Sequence, residues 1–214
     1  MSEPATPGAR AGHGPAAPRH QLTRAQLLAR GVVGAGALTA GGVLVGGLPK
    51  PAESQPSREQ DARILEWLLQ VEYLQEAFYT EAERRGELTG ELAEFASRVA
   101  RQERQHVAEL EKELGGGSSD KRPEFDFGDA TSNADEFIAA AVELEEIAVA
   151  AFNGQVANLT DPRLMTAMKI VSVEARHVGW ARDLQGANPA PRPADPGATQ
   201  DETRGAMEDT GFTE

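Results

Sequence analysis

RQERQHVAEL, residues 101–110, sets a carboxylate and an imidazole three positions apart, at Glu103 and His106. The spacing recurs in VSVEARHVGW, residues 171–180, at Glu174 and His177. Residues three apart on an α-helix share a face, so each tetrad aims an oxygen and a nitrogen at one point. Both tetrads sit in apolar stripes. Glu103 lies among Ala96, Val99, Val107 and Leu110, and Glu174 among Ala167, Val171, Val178 and Ala181. The chain has four histidines, and the other two, His13 and His20, lie far outside these helices.

Each tetrad has a glutamate upstream. Glu72 precedes Glu103 by 31 residues, and Glu145 precedes Glu174 by 29. Glu72 sits among Leu65, Leu68 and Tyr79, and Glu145 among Ile138, Ala141, Val149 and Phe152. The rivals Glu76, Glu143 and Glu146 have more polar neighbours. Both chosen glutamates carry an aromatic residue seven positions on, Tyr79 and Phe152. The chain therefore reads as a weak duplication of a Glu helix followed by a Glu-x-x-His helix. Tyr79 is a candidate redox or hydrogen-bonding residue, with core packing as the plainer alternative.

The surrounding pattern predicts four helices with a period near 3.6 and no strand. They run over residues 61–85, 90–114, 134–158 and 162–185. Gly86 and Gly115–Gly117 are the expected stops, Thr89 and Asp161 the expected N-caps, and Pro162 suits a first turn. Trp67, Trp180, Met165 and Met168 are expected to pack. Short links join the first two helices and the last two, so each pair is antiparallel. An 18-residue link, 115–132, joins the second helix to the third. A 25-residue helix is about 37 Å long. The link can span that at up to about 3.3 Å per residue, with Phe125 and Phe127 to pin it. Residues 187–214 read as a disordered acidic tail with no fifth helix.

Residues 1–20, rich in Pro, Gly and Ala, read as a disordered leader. Residues 21–48 read as an export or anchor segment: Gly31–Leu48 carries no charge and follows Arg24 and Arg30. TRAQLL, residues 23–28, resembles a twin-arginine signal except that Ala25 stands at the second arginine. An exported location follows, in the cell envelope or outside the cell, with residues 27–48 able to serve as a membrane tether. Residues 49–60 read as a linker and 61–186 as the bundle.

The net charge is −13, concentrated in 61–186, which argues against nucleic acid as a partner. There is no cysteine, which excludes disulfides, thiolate metal sites and iron–sulfur clusters. Four inward carboxylates would repel one another, and each uncompensated buried charge costs several kcal/mol. Two divalent cations cancel four carboxylates. Oxygen and imidazole ligands suit iron or manganese.

On VEYLQEAFY, RQERQH, LEEIAVAAFNG and VEARH, the chain resembles the ferritin-like superfamily, and in particular exported bacterial ferritin-like proteins, over roughly residues 61–186. The resemblance implies an all-α, ferritin-like four-helix bundle with a long crossover between helices two and three. It implies that Glu72, Glu103, His106, Glu145, Glu174 and His177 are metal ligands for two iron ions, or alternatively manganese. It further implies O₂ or peroxide as reactants, in Fe(II) oxidation or in peroxide reduction or dismutation. A chain without cysteine has no rubredoxin-like module, and one without a fifth helix does not suit a closed storage cage. The alternatives are a non-catalytic, stress- or desiccation-related envelope protein and a metal buffer. A second copy of the chain, as a homodimer, is a candidate partner.

Overall fold

Ser57 opens the first helix, its hydroxyl oxygen accepting from the Gln60 N–H at 3.2 Å. Helix α1, Arg58–Arg85, therefore starts three residues before the expected boundary. It ends where Gly86 adopts φ +67°, a left-handed cap that glycine takes without steric cost. In this computed structural model the described residues are 56–116 and 122–213. The readings of a leader at 1–20, an export or anchor segment at 21–48, a tether at 27–48 and a linker over 49–55 all lie outside them. Among the described residues, no helix is long and apolar enough to cross a membrane.

Helix α2 spans Gly90–Glu113 with Thr89 at its N-cap. Helix α3 spans Ala134–Gln155, capped by the Asn133 side chain, and closes through a 3₁₀ turn at Val156–Asn158. Helix α4 spans Asp161–Leu184 with Pro162 in its first turn. Its N-cap is Thr160 rather than Asp161. The carboxylate that serves this end comes from α1: Asp61 accepts from the Thr160 N–H at 2.9 Å and from its hydroxyl at 2.5 Å.

The apolar stripes close on one another. Leu65, Leu68, Phe78, Phe95, Phe152 and Ala181 are among the side chains with almost no exposure. Phe78 on α1 stacks on Phe137 near the start of α3, at 5.3 Å between centroids, while Asp61 meets the start of α4. Helices α1 and α3 are thus antiparallel, α2 is parallel to α3, and the crossover runs the length of the bundle. The Arg122 guanidinium lies over the Tyr73 ring at 4.8 Å and pairs with Glu76. Phe127 is buried edge-on against Phe78 at 5.4 Å.

Two further expectations need correction. Residues 187–214 do not lack structure: helix α5, Gln200–Asp209, forms behind a capping box in which Thr199 and Glu202 satisfy each other's backbone N–H. Asp126 N–H donates to Phe212 O at 3.1 Å, and Phe212 packs on Phe127 at 5.3 Å, so the tail helps pin the crossover. The methionine expectation also fails. Met165 and Met168 are 58% and 47% exposed, because they fall on the outer face of α4, away from Ala167 and Ile170.

The tail docks on α3 through glycine. Ala198 N–H donates to Ala150 O at 2.8 Å, and a Cβ at Gly154 would collide with the Ala198 carbonyl. Gly154→Ala is therefore expected to dislodge residues 196–209 and cost about 1–3 kcal/mol, as overpacking does. Limited proteolysis should cut the variant first near residues 190–200. An unchanged cleavage pattern and melting temperature would show that the tail contact does not constrain α3.

Candidate metal centre

Four helices each bring ligand-type side chains to the bundle's middle. Glu72 comes from α1, Glu103 and His106 from α2, Glu145 from α3, and Glu174 and His177 from α4. The four carboxylates have no solvent exposure, and His106 and His177 are 7% and 3% exposed. The two imidazole centroids are 6.2 Å apart.

The shared carboxylates organise the cluster. Glu103 lies with Oε2 3.2 Å from His106 Nδ1 and Oε1 3.1 Å from His177 Nδ1. Glu174 does the same, with Oε1 2.8 Å from His106 Nδ1 and Oε2 3.8 Å from His177 Nδ1. Glu72 flanks only His106, at 3.4 Å, and Glu145 flanks only His177, also at 3.4 Å. Two overlapping sets result, Glu72–Glu103–His106–Glu174 and Glu103–Glu145–Glu174–His177. In each, one ligand atom per residue lies within 4.8 Å of the others.

Most of these close approaches lack hydrogen-bond alignment. Both Glu72 oxygens, Glu103 Oε1, Glu145 Oε2, Glu174 Oε1 and His177 Nδ1 are buried without a hydrogen-bond partner. Apart from the His106 Nδ1–Glu103 Oε2 hydrogen bond at 3.2 Å, the short separations quoted above are charge proximity rather than bonds. Such orphaned groups cost about 1–3 kcal/mol each, and their lone pairs face one another. That donor set, four carboxylates and two imidazoles, is compatible with a metal site.

The titration shifts express the same crowding. Burial raises the Glu72 carboxyl, and the Glu174 charge adds to it. Burial, with the charge of Glu174, pushes Glu145 up to about 8 against the opposing pull of His177. Burial alone would lower both histidines, but neighbouring carboxylates outweigh it. His106 is driven far up by Glu103, Glu174 and Glu72, and His177 is pushed up to about 12, chiefly by Glu145. Glu174 goes the other way: burial would raise it, yet the two imidazoles hold it well below the carboxylate range.

Beyond the six lie three polar side chains. Tyr79 donates its hydroxyl to Glu145 Oε1 at 2.6 Å, and burial together with Glu145 raises its pKa, so it stays a phenol. Two neighbours were missed from sequence. Gln75 donates to Glu174 Oε2 at 3.4 Å, and Gln102 Oε1 lies 2.8 Å from His177 Nε2. Their signal was available: Gln75 is three residues after Glu72, and Gln102 is four before His106, each on an inward face. The rivals point elsewhere. Glu146 pairs with Arg182 at 2.6 Å and Glu76 with Arg122. Arg104 pairs with Glu83 at the surface, 3.3 Å away. A cavity of about 370 Å³ between α3, α4 and the tail is lined by none of the six.

Long helices in two hairpins, a full-length crossover and an interior cluster of carboxylates and imidazoles define a ferritin-like bundle. Residues 60–187 match the ferritin-like domain family, and the chain belongs to it. No curated protein matches the sequence.

Proposed function

We propose that this protein holds two iron ions, or alternatively manganese, and couples them to O₂ or peroxide. The supporting observation is that Glu103 and Glu174 each offer one oxygen to either side of the cluster, so both would serve either cation position. Glu72 and His106 would complete one position, and Glu145 and His177 the other. When bound, each iron supplies one electron, so the pair can meet the two-electron demand of one peroxide. The chain's own residues supply the rest. The carboxylates and imidazoles would hold the cations, the apolar stripes exclude bulk water, and Tyr79 holds Glu145 Oε1 so that Oε2 faces inward. The same proposal places the protein outside the cytoplasm, on the strength of Arg24 and Arg30 ahead of an uncharged run.

Metal analysis of reconstituted protein, followed by Fe(II)-oxidation and H₂O₂-consumption assays, tests it. About two ions per chain with turnover supports the proposal. Fewer than about one ion per chain rejects a dinuclear site, since ligand count sets stoichiometry. Two ions without turnover would leave a binding module. Tyr79→Phe should keep both ions but weaken their binding about 10–100-fold, the usual effect of losing a hydrogen bond to a ligand. Calorimetric titration with Mn²⁺ reads it, and unchanged affinity would make Tyr79 a packing residue only.

A further inference from the structure

The two halves of the cluster repeat each other in ligands but not in what holds those ligands. His177 Nε2 lies 2.8 Å from Gln102 Oε1. A carbonyl oxygen only accepts, so Nε2 carries a hydrogen, and Nδ1 is the nitrogen left to meet a cation once it gives up its own proton. Nδ1 is the nitrogen that faces Glu103, Glu145 and Glu174. The carboxylate of that half is fixed as well, with Glu145 Oε1 held by Tyr79 at 2.6 Å. In the other half, His106 Nδ1 also faces inward, but its Nε2 has no hydrogen bond to any described residue. Neither oxygen of Glu72 has a hydrogen-bond partner.

We infer that Gln102 is a positioning residue that locks His177 as the Nε2–H tautomer and so makes the Glu145–His177 half the tighter of two unequal cation positions. The inference rests on the two-cation reading above. A ring already turned and protonated for binding loses less freedom when a cation arrives, and preorganisation of this kind appears as affinity. The Glu72–His106 half must order its ligands on binding, which makes it the exchangeable position. The amide also suits the charge balance. A carboxylate at residue 102 would orient the ring equally but add a fifth negative charge beside four. The neutral acceptor orients without charging. Gln102 is itself half-buried on α2, one position before the shared Glu103, so its register is set by the same helix that places the bridge.

The test uses the full chain and Zn²⁺, which is diamagnetic. Calorimetry reads the two affinities, and side-chain ¹⁵N–¹H correlation spectra read the histidine tautomers. Wild type should bind two ions in distinguishable steps, with His177 as the Nε2–H form. Gln102→Leu should weaken the tighter step about 10–100-fold, leave the weaker step within about threefold, and turn the His177 Nε2–H of the Zn²⁺-loaded protein from a slowly exchanging proton into one that exchanges fast with water. Gln102→Glu, which keeps an acceptor, should restore slow exchange. Glu72→Gln should weaken only the weaker step. If wild type binds no Zn²⁺, the metal-site reading fails and this inference with it. If wild type binds two ions while Gln102→Leu changes neither affinity nor Nε2–H exchange, the inference alone is overturned. Should Gln102→Leu not fold, an Nδ1–H tautomer for His177 in wild type overturns it just as directly.

Discussion

Glu103→Ala combined with Glu174→Ala is expected to abolish binding of both cations, with affinities falling more than about 100-fold, beyond the loss typical of residues that merely support a ligand. These two carboxylates belong to both overlapping sets, so their removal takes two ligands from each position at once. Glu72→Ala or Glu145→Ala should instead spare one position. The double variant should still fold. It deletes two buried charges from a site where four repel, although it leaves His106 and His177 with fewer partners and opens a small cavity. Retained helical circular dichroism with lost Mn²⁺ uptake is the expected pair of results. Two ions bound at wild-type affinity by the double variant would mean that the cations sit elsewhere.

The second large effect is a reversal of pH dependence by metal. Without metal, Glu145 is raised from 4.5 to about 8 and His177 from 6.5 to about 12 in the folded chain. Both groups bind protons more tightly folded than unfolded, so the folded state carries the excess and stability falls as pH rises. The contribution of His177 is whole below 6.5 and drains away above it. That of Glu145 drains between 4.5 and about 8. Between pH 6.5 and 8 both act in the same direction, joined by His106, which the neighbouring carboxylates also drive up, and metal-free protein in chelator should lose about 2–4 kcal/mol per pH unit. Glu174, whose shift is downward, acts only below its ordinary value of 4.5 and lies outside this window. Saturating Mn²⁺ inverts the slope, because the ligands must shed their protons to bind, so affinity rises with pH. A cation at about 100 times its Kd adds about 2.7 kcal/mol per site. Thermal melts across pH 6–8, with chelator and with Mn²⁺, should diverge as pH rises. Parallel curves would show that protons and cations do not compete for these groups.

Much of the bundle was legible because its signals are local and periodic. Leu65, Leu68, Val99, Val107, Val171 and Val178 mark inward faces by spacing alone, and Gly86 marks a helix end because few other residues take its φ. The convergence of the six ligand-type side chains followed from the same logic, since a face fixed by apolar neighbours fixes the polar residue among them. What escaped was non-local. Thr199 and Glu202 form a readable capping box, but α5 is ten residues long and half of them are charged, so its stability comes from Gly154, Ala150 and Phe127, which lie far away in sequence. The Asp61–Thr160 contact joins residues 99 apart and no pattern announces it. Met165 and Met168 misled because an apolar side chain on a helix reads as core until the neighbouring helices are placed. Gln102 was passed over for a related reason: its spacing from His106 marks an inward face, but its role appears only once His177 from another helix stands beside it.

Anomalous diffraction from crystals loaded with Mn²⁺ or iron addresses the central claim most directly. The account requires two peaks per chain about 3.5–4 Å apart, the separation common in two-metal sites. One peak must lie against Glu72 and His106, the other against Glu145 and His177, with Glu103 and Glu174 touching both. A single peak, or peaks confined to surface carboxylates such as Glu143 or Glu202 while the interior stays empty, would contradict it.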